Sequence, residues 1–182
     1  MLISEVIRLD KSHHNVKSFD CGIDSVTQYL RRHASKNMAL NLSNTFVLAY
    51  DIPNSNQTKN QAKSQNIAGF YTLAHATIAA HTVPVKHKLP RYPTPVILLA
   101  QFGIDQSVQG QGLGKKLLIR ALRHTYQICT DEHGIPAAGL ILDAVNDQAL
   151  SFYQSFDFFK PLHSENNSLT RLFVSIDSLA GI

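Results

Sequence analysis

The stretch that decides the fold runs from Val96 to Thr130: VILLAQFGI (Val96–Ile104), then DQSVQGQGLG (Asp105–Gly114), then a helical pattern from about Leu113 to Thr130. A near-continuous apolar run such as the first marks a strand buried on both faces. In the last segment Leu113, Leu117, Ala121, Leu122 and Ile128 supply the core stripe of an amphipathic helix. Gly110, Gly112 and Gly114 lie between the two. A glycine turn that opens a helix gathers unpaired N–H groups at the positive end of the helix dipole, and glycine lets the backbone approach an anion closely. Strand, glycine turn and helix together therefore predict an anion site within an α/β fold.

Working outward, Gly139–Val145 (GLILDAV) is a second buried strand, Asp147–Ser155 a short helix and Leu169–Ile176 (LTRLFVSI) a closing strand. Upstream, Ser4–Leu9 is a first strand centred on Val6 and Ile7. Phe19-Asp20-Cys21-Gly22 turns the chain into a helix from Asp24 to about Met38. Val26, Tyr29, Leu30 and Ala34 form its apolar face, while Arg31, Arg32 and Lys36 give it a basic outer face. Thr45–Tyr50 and Ile67–Leu73 are β-rich runs joined by the polar insert at about 53–66, which holds too few apolar side chains to bury itself. Val83–Pro95 holds four prolines and predicts an extended loop. The expected architecture is α/β (α+β), a central mixed sheet flanked by helices in a single domain over residues 1–182.

Composition narrows the setting. Hydrophobic residues at 44% and charged residues at 16% are ordinary for a globular chain. Cys21 and Cys129 make neither a disulfide framework nor a zinc site. Glu5, Arg8 and Asp10 interrupt the N-terminal apolar stretch, so a signal peptide is not expected, and no apolar run reaches membrane-spanning length. A cytoplasmic protein with no membrane partner is the expectation. The nine histidines are scattered without HExxH or paired i, i+4 spacing, and no metal is expected.

The glycine turn fails two nucleotide motifs. A P-loop requires glycine where Gln109 stands and Ser or Thr where Lys116 stands. In a Rossmann fingerprint the third glycine would fall one residue later than Gly114. What remains is Q-x-x-G-x-G, filled by Gln109, Gly112 and Gly114, after a buried strand and opening a long helix. In this the chain resembles the GNAT superfamily of acyl-CoA-dependent N-acyltransferases, where the motif binds the CoA pyrophosphate. The plainer reading is a turn that serves packing alone, and the flanking strand, helix and second buried strand count against it. Phe19-Asp20-Cys21-Gly22, Asp105-Gln106-Ser107 and Ala149-Leu150-Ser151-Phe152-Tyr153-Gln154 extend the resemblance to the GNAT toxins of toxin–antitoxin pairs, from about Leu9 to Ile176. These acetylate the amine of the amino acid on charged tRNA and block translation.

The resemblance implies acetyl-CoA as cofactor. It places cofactor contacts at Phe102, Gly103, Ile104, Gln109, Gly110, Gln111, Gly112, Leu113, Gly114, Lys115, Asn146 and Phe152. A main-chain N–H near Phe102–Ile104 would hold the oxyanion, and the Tyr153 hydroxyl would act on the departing thiolate; packing on a short helix is the other reading of Tyr153. The resemblance also implies aminoacyl-tRNA as acceptor, a small antitoxin of ribbon-helix-helix type, and self-association. Where such toxins often carry Arg, this chain has Gln101. For tRNA phosphates, Arg31, Arg32, Lys36, Lys86, Lys88 and Arg91 would form a basic track, though an ordinary solvated face explains them equally well. Asp143 and Asp147 are read as solvated or helix-capping groups rather than catalytic bases. Two other functions stay open: acetylation of a small-molecule or protein amine, and a non-catalytic acetyl-CoA-binding regulatory module.

Overall fold

Thr45 and Thr72 face each other across an antiparallel strand pair, and their fully buried hydroxyls share a hydrogen bond of 2.8 Å. A buried hydroxyl needs such a partner, because an unpaired one loses its water with nothing in return. The computed structural model describes residues 3–51, 64–84, 91–162 and 169–182, so most of the polar insert and residues 85–90 of the proline loop lie outside the described residues. In chain order the elements are β1 (Ile3–Arg8), β2 (His14–Asn15), α1 (Asp24–Gln28), a π-helical turn (Tyr29–His33), α2 (Ala34–Ala39), β3 (Asn44–Tyr50), β4 (Gln65–Ile78) and β5 (Thr94–Ile104). There follow α3 (Leu113–Thr130), β6 (Gly139–Ala144), α4 (Asp147–Gln154), β7 (Lys160–Leu162), β8 (Thr170–Ser175) and α5 (Ile176–Leu179). Strands paired in both senses and flanked by helices give the mixed α/β class read from sequence. The chain forms two compact units, Met1–Leu73 with Gln101–Arg120 and Ala74–Ala100 with Ala121–Ile182; β4, β5 and α3 run through both.

In the first unit β3 pairs antiparallel with β1 (Val6 opposite Leu48) and with β4 (Phe46 opposite Tyr71), while β2 adds a short parallel pair at Gln65. The core joins Phe19, Val26, Leu30 and Ala34 to Val47, Ala49, Ile67 and Phe70, with Phe19 edge-on to Phe70 at 5.2 Å. Each Val, Leu, Ile or Phe among them contributes about 1.5–3 kcal/mol when fully buried. The helix expected from Asp24 to Met38 is present but contains the π turn. Val26, Leu30 and Ala34 are four apart, which in an unbroken α-helix would rotate the stripe by about 40° per step. A wider turn keeps all three on the core face.

In the second unit β5 pairs parallel with β6 from Ile97/Leu140 to Leu99/Leu142, and β8 pairs antiparallel with both β6 and β7. Its core holds Ile78, Val83, Val96, Ile141, Leu162 and Phe173. Three expectations need correction. β5 begins at Thr94 inside the stretch read as loop, with Pro95 at its start, where a missing N–H is tolerated. It is not buried on both faces throughout, since Leu98, Ala100, Gln101 and Phe102 are half-buried. The short β2 and β7 carry too few residues to show a periodicity and were not anticipated.

Gly139 holds the β6–β8 pair together: a Cβ there would sit 2.1 Å from the Val174 carbonyl oxygen and 2.9 Å from the Phe173 ring. Gly139→Ala must push these strands apart. We expect it to cost about 1–3 kcal/mol, read as a lower urea midpoint; an unchanged midpoint would show that the strands separate freely.

Candidate functional site

Two aspartates fold their own loops by the same local device. Asp20 Oδ1 accepts from the Gly22 N–H at 2.8 Å, and Asp105 Oδ1 accepts from the Ser107 N–H at 3.0 Å. Aspartate favours such turns because its short carboxylate reaches the backbone two residues on. The turns are then tied to each other within the first unit. The Asp20 N–H donates to Asp105 Oδ2 at 2.9 Å, and the Gln106 N–H donates to the Asp20 carbonyl at 2.8 Å. Gly22 sits at φ +83°, a left-handed conformation that favours glycine, with the flexible Gln106 amide lying over it.

Gln109 and Thr27 complete the knot. Gln109 Nε2 donates to the Ile104 carbonyl at 2.9 Å and to the Cys21 carbonyl at 3.1 Å. Thr27 Oγ1, in α1, accepts from the Cys21 N–H at 3.2 Å and donates to Asp20 Oδ1 at 3.4 Å. The Asp105 N–H is spent on the Ala68 carbonyl of β4 at 2.9 Å. Where β5 ends, Gly103 allows Phe19, Val26 and Phe70 to crowd the strand, since a Cβ would come within 3.2–3.3 Å of all three. Ile104 is buried beside it and Phe102 half-buried.

The turn then runs into α3 with Gly110 at φ +75° and Gly112 at φ +74°. A side chain added at either would meet nothing within 4 Å. These glycines are therefore required by backbone conformation, not by packing. Gln109, Gly110, Gln111, Gly112 and Lys115 are exposed, Gly114 is half-buried, and buried Leu113 anchors the helix. An exposed glycine turn at the start of an eighteen-residue helix, with open space over its glycines, fits a diphosphate. Lys115 adds positive charge there.

In the second unit Asn146 caps α4, its Oδ1 accepting from the Ala149 N–H at 2.8 Å. Tyr153 is buried on α4, edge-on to Phe152 at 5.2 Å and to Phe159 at 5.9 Å, and Phe152 is edge-on to Phe156 at 5.5 Å. Burial pushes the Tyr153 hydroxyl well above the usual phenol range, so it keeps its proton at cellular pH. Asp143 is half-buried and ion-paired. Arg171, opposite it in the β6–β8 register, donates Nε and Nη2 to its two oxygens at 2.7 Å each, so both oxygens are engaged by the guanidinium.

Of the basic residues, Arg31 is partly structural, its Nε donating to the Phe19 carbonyl at 3.0 Å. Arg32, Lys36 and Arg91 are exposed, and Lys86 and Lys88 lie outside the described residues. Sequence reasoning missed the roles of Asp20, Thr27 and Asp105. The signal was present in the two Asp-x-Gly/Ser turns, but the tie between them spans 85 residues. Among the described residues no cluster of His, Cys, Asp and Glu is placed to hold a metal ion, and no helix is long and apolar enough to cross a membrane.

A family model described as the acetyltransferase (GNAT) family matches residues 61–158. The tRNA-acetylating toxin of Mycobacterium tuberculosis (strain ATCC 25618 / H37Rv) is 34% identical over 155 residues, covering 82% of this chain and 83% of its own. Among solved structures, AtaT complexed with acetyl-methionyl-tRNAfMet is similar with a TM-score of 0.78 at 25% identity, over 97% of this chain and 95% of its own. AtaTR bound with AcCoA gives 0.76 at 26% identity, over the same shares.

The Tyr153 environment makes a spectroscopic prediction. A raised folded-state pKa means that the neutral phenol's contribution to stability is fully present below about pH 10 and is lost as pH rises beyond it. The 295 nm difference spectrum between the native chain and Tyr153→Phe should therefore show no phenolate at pH 10. A phenolate signal below that pH would contradict the burial.

Proposed function

Because the chain belongs to the acetyltransferase (GNAT) family, we propose that it is an acetyl-CoA-dependent N-acetyltransferase whose acceptor is the amino-acid amine of charged tRNA. It acts as the translation-blocking toxin of a type II toxin–antitoxin pair. The observation that carries the reading is the glycine turn at the start of α3, with Gly110 and Gly112 in left-handed conformation beneath open space. The acceptor is inferred from the 34% identical tRNA-acetylating toxin and from the AtaT complex with acetyl-methionyl-tRNAfMet. We further propose a single N-acetyltransferase domain over residues 1–182, a cytoplasmic location, self-association, and a small antitoxin of ribbon-helix-helix type as partner.

When bound, acetyl-CoA supplies a thioester-activated acetyl group and a thiolate leaving group. The backbone N–H groups from Gly110 to Lys115 hold the pyrophosphate, supported by the helix dipole and Lys115. Asn146 and Phe152 contribute further cofactor contacts. A main-chain N–H within Phe102–Ile104 would be the donor to the acetyl carbonyl oxygen. The Tyr153 hydroxyl would be the donor to the thiolate that acetyl-CoA leaves. A phenol held above its usual range has no driving force to give its proton fully to a thiolate whose thiol titrates near 8.5. Tyr153 would therefore stabilise the thiolate chiefly by hydrogen bonding. The acceptor needs no strong base, since an α-amine titrates at or below about 7.7–8.0 and is partly neutral at cellular pH. The engagement of Asp143 by Arg171 agrees with that.

Purified protein with labelled acetyl-CoA and total charged tRNA should label the aminoacyl-tRNA. Tyr153→Phe should lower kcat by a factor on the order of 100. The native rate should rise with pH through about 7–8 and stay level to pH 9.5, because Tyr153 does not lose its proton in that range. Absence of label on charged tRNA, with acetylation of a small or protein amine instead, would reassign the acceptor.

A further inference from the structure

The glycine turn is held in shape by residues that precede it. The Asp20–Gly22 turn and the Asp105–Gln109 segment are joined by three hydrogen bonds. These are Asp20 N–H to Asp105 Oδ2 (2.9 Å), Gln106 N–H to the Asp20 carbonyl (2.8 Å) and Gln109 Nε2 to the Cys21 carbonyl (3.1 Å). The second hydrogen of Gln109 Nε2 is given to the Ile104 carbonyl at 2.9 Å. That amide therefore bridges the end of β5 and a turn far away in sequence, with the first glycine, Gly110, next in the chain. Both hydrogens on Nε2 are engaged, so the part of Gln109 that identifies the motif in sequence faces protein carbonyls, not a ligand.

We propose that Gln109 and Asp105 are positioning residues: they preorganise the Gly110–Gly114 turn for a diphosphate by bracing it on the Asp20–Cys21–Gly22 turn at the head of α1. Two consequences make this more than local packing. Gly110 and Gly112 have no side-chain contacts to hold their left-handed conformations, so the turn's shape must be imposed from its ends. One end is buried Leu113 of α3, and the other is Gln109. Preorganisation of a loop is felt as ligand affinity, because an unbraced loop must be ordered when the ligand arrives. Thr27 extends the brace into α1 through the Cys21 N–H and the Asp20 carboxylate. This inference rests on the acetyl-CoA reading and concerns what makes the site competent.

The experiment is calorimetric titration of the full chain with CoA, alongside the thermal midpoint without ligand. Gln109→Ala removes both donors, and we expect CoA binding to weaken about tenfold or more. Gln109→Arg can again donate to two carbonyls and should recover most of that loss. Asp105→Asn keeps the size but gives up one acceptor oxygen, and should weaken CoA binding even if Gln109→Ala fails to fold. Rescue by Arg is the readout that a merely structural role would not produce. Native binding with unaffected Gln109→Ala, or no recovery in a folded Gln109→Arg, overturns the inference alone. Failure of the native chain to bind CoA overturns the acetyl-CoA reading itself.

Discussion

The hydrogen bonds between the Asp20 turn and the Asp105–Gln109 segment are the constraint on which the site depends. A glycine-rich turn is entropically expensive to hold in one conformation, since glycine loses more freedom on ordering than any other residue. Gly110 and Gly112 receive no help from side-chain packing. The chain compensates by fixing the residues on either side, with Leu113 sunk into the core and Gln109 bonded to two carbonyls. The same knot sets the start of α1 through Thr27 and Gly22, so one set of bonds orders both the turn and the helix.

The chemistry assigned to the site is undemanding in its proton transfers, and the structure is built accordingly. Tyr153 lies among Phe152 and Phe159, where a phenolate would be poorly solvated and the neutral hydroxyl persists. In the proposed reaction such a phenol is a hydrogen-bond donor rather than an acid matched to a thiolate. The carboxylate nearest to α4 along β6, Asp143, is committed to a two-point bond with Arg171. An amine already partly neutral at cellular pH suits such a site better than a lysine side chain, which titrates near 10.4.

Much of the site was legible because its signals are local. The glycine spacing and the apolar strand before it identified the turn, and Tyr153 falls on the short helix expected from Asp147 to Ser155, which Asn146 caps. The basic residues were less legible. Arg31 looked like part of a solvated face, yet its guanidinium supports the Phe19 carbonyl, while Arg32 and Lys36 remain exposed. Charge in a sequence does not reveal whether the head group is needed by the fold or left for a partner.

By itself, the sequence determined the order of the main strands and helices, the position of the glycine turn and the placement of Tyr153 on a short helix. Each follows from hydrophobic period or from the backbone needs of glycine, which act over a few residues. Only the tertiary structure decided that Gln109 serves protein carbonyls, that Asp143 belongs to Arg171, that the α1 stripe needs a widened turn, and that β5 is half-buried at Leu98 and from Ala100 to Phe102. Those outcomes depend on which distant backbone or side chain arrives opposite. Asp20 and Asp105 write the same local turn twice, and only folding brings one within 2.9 Å of the other.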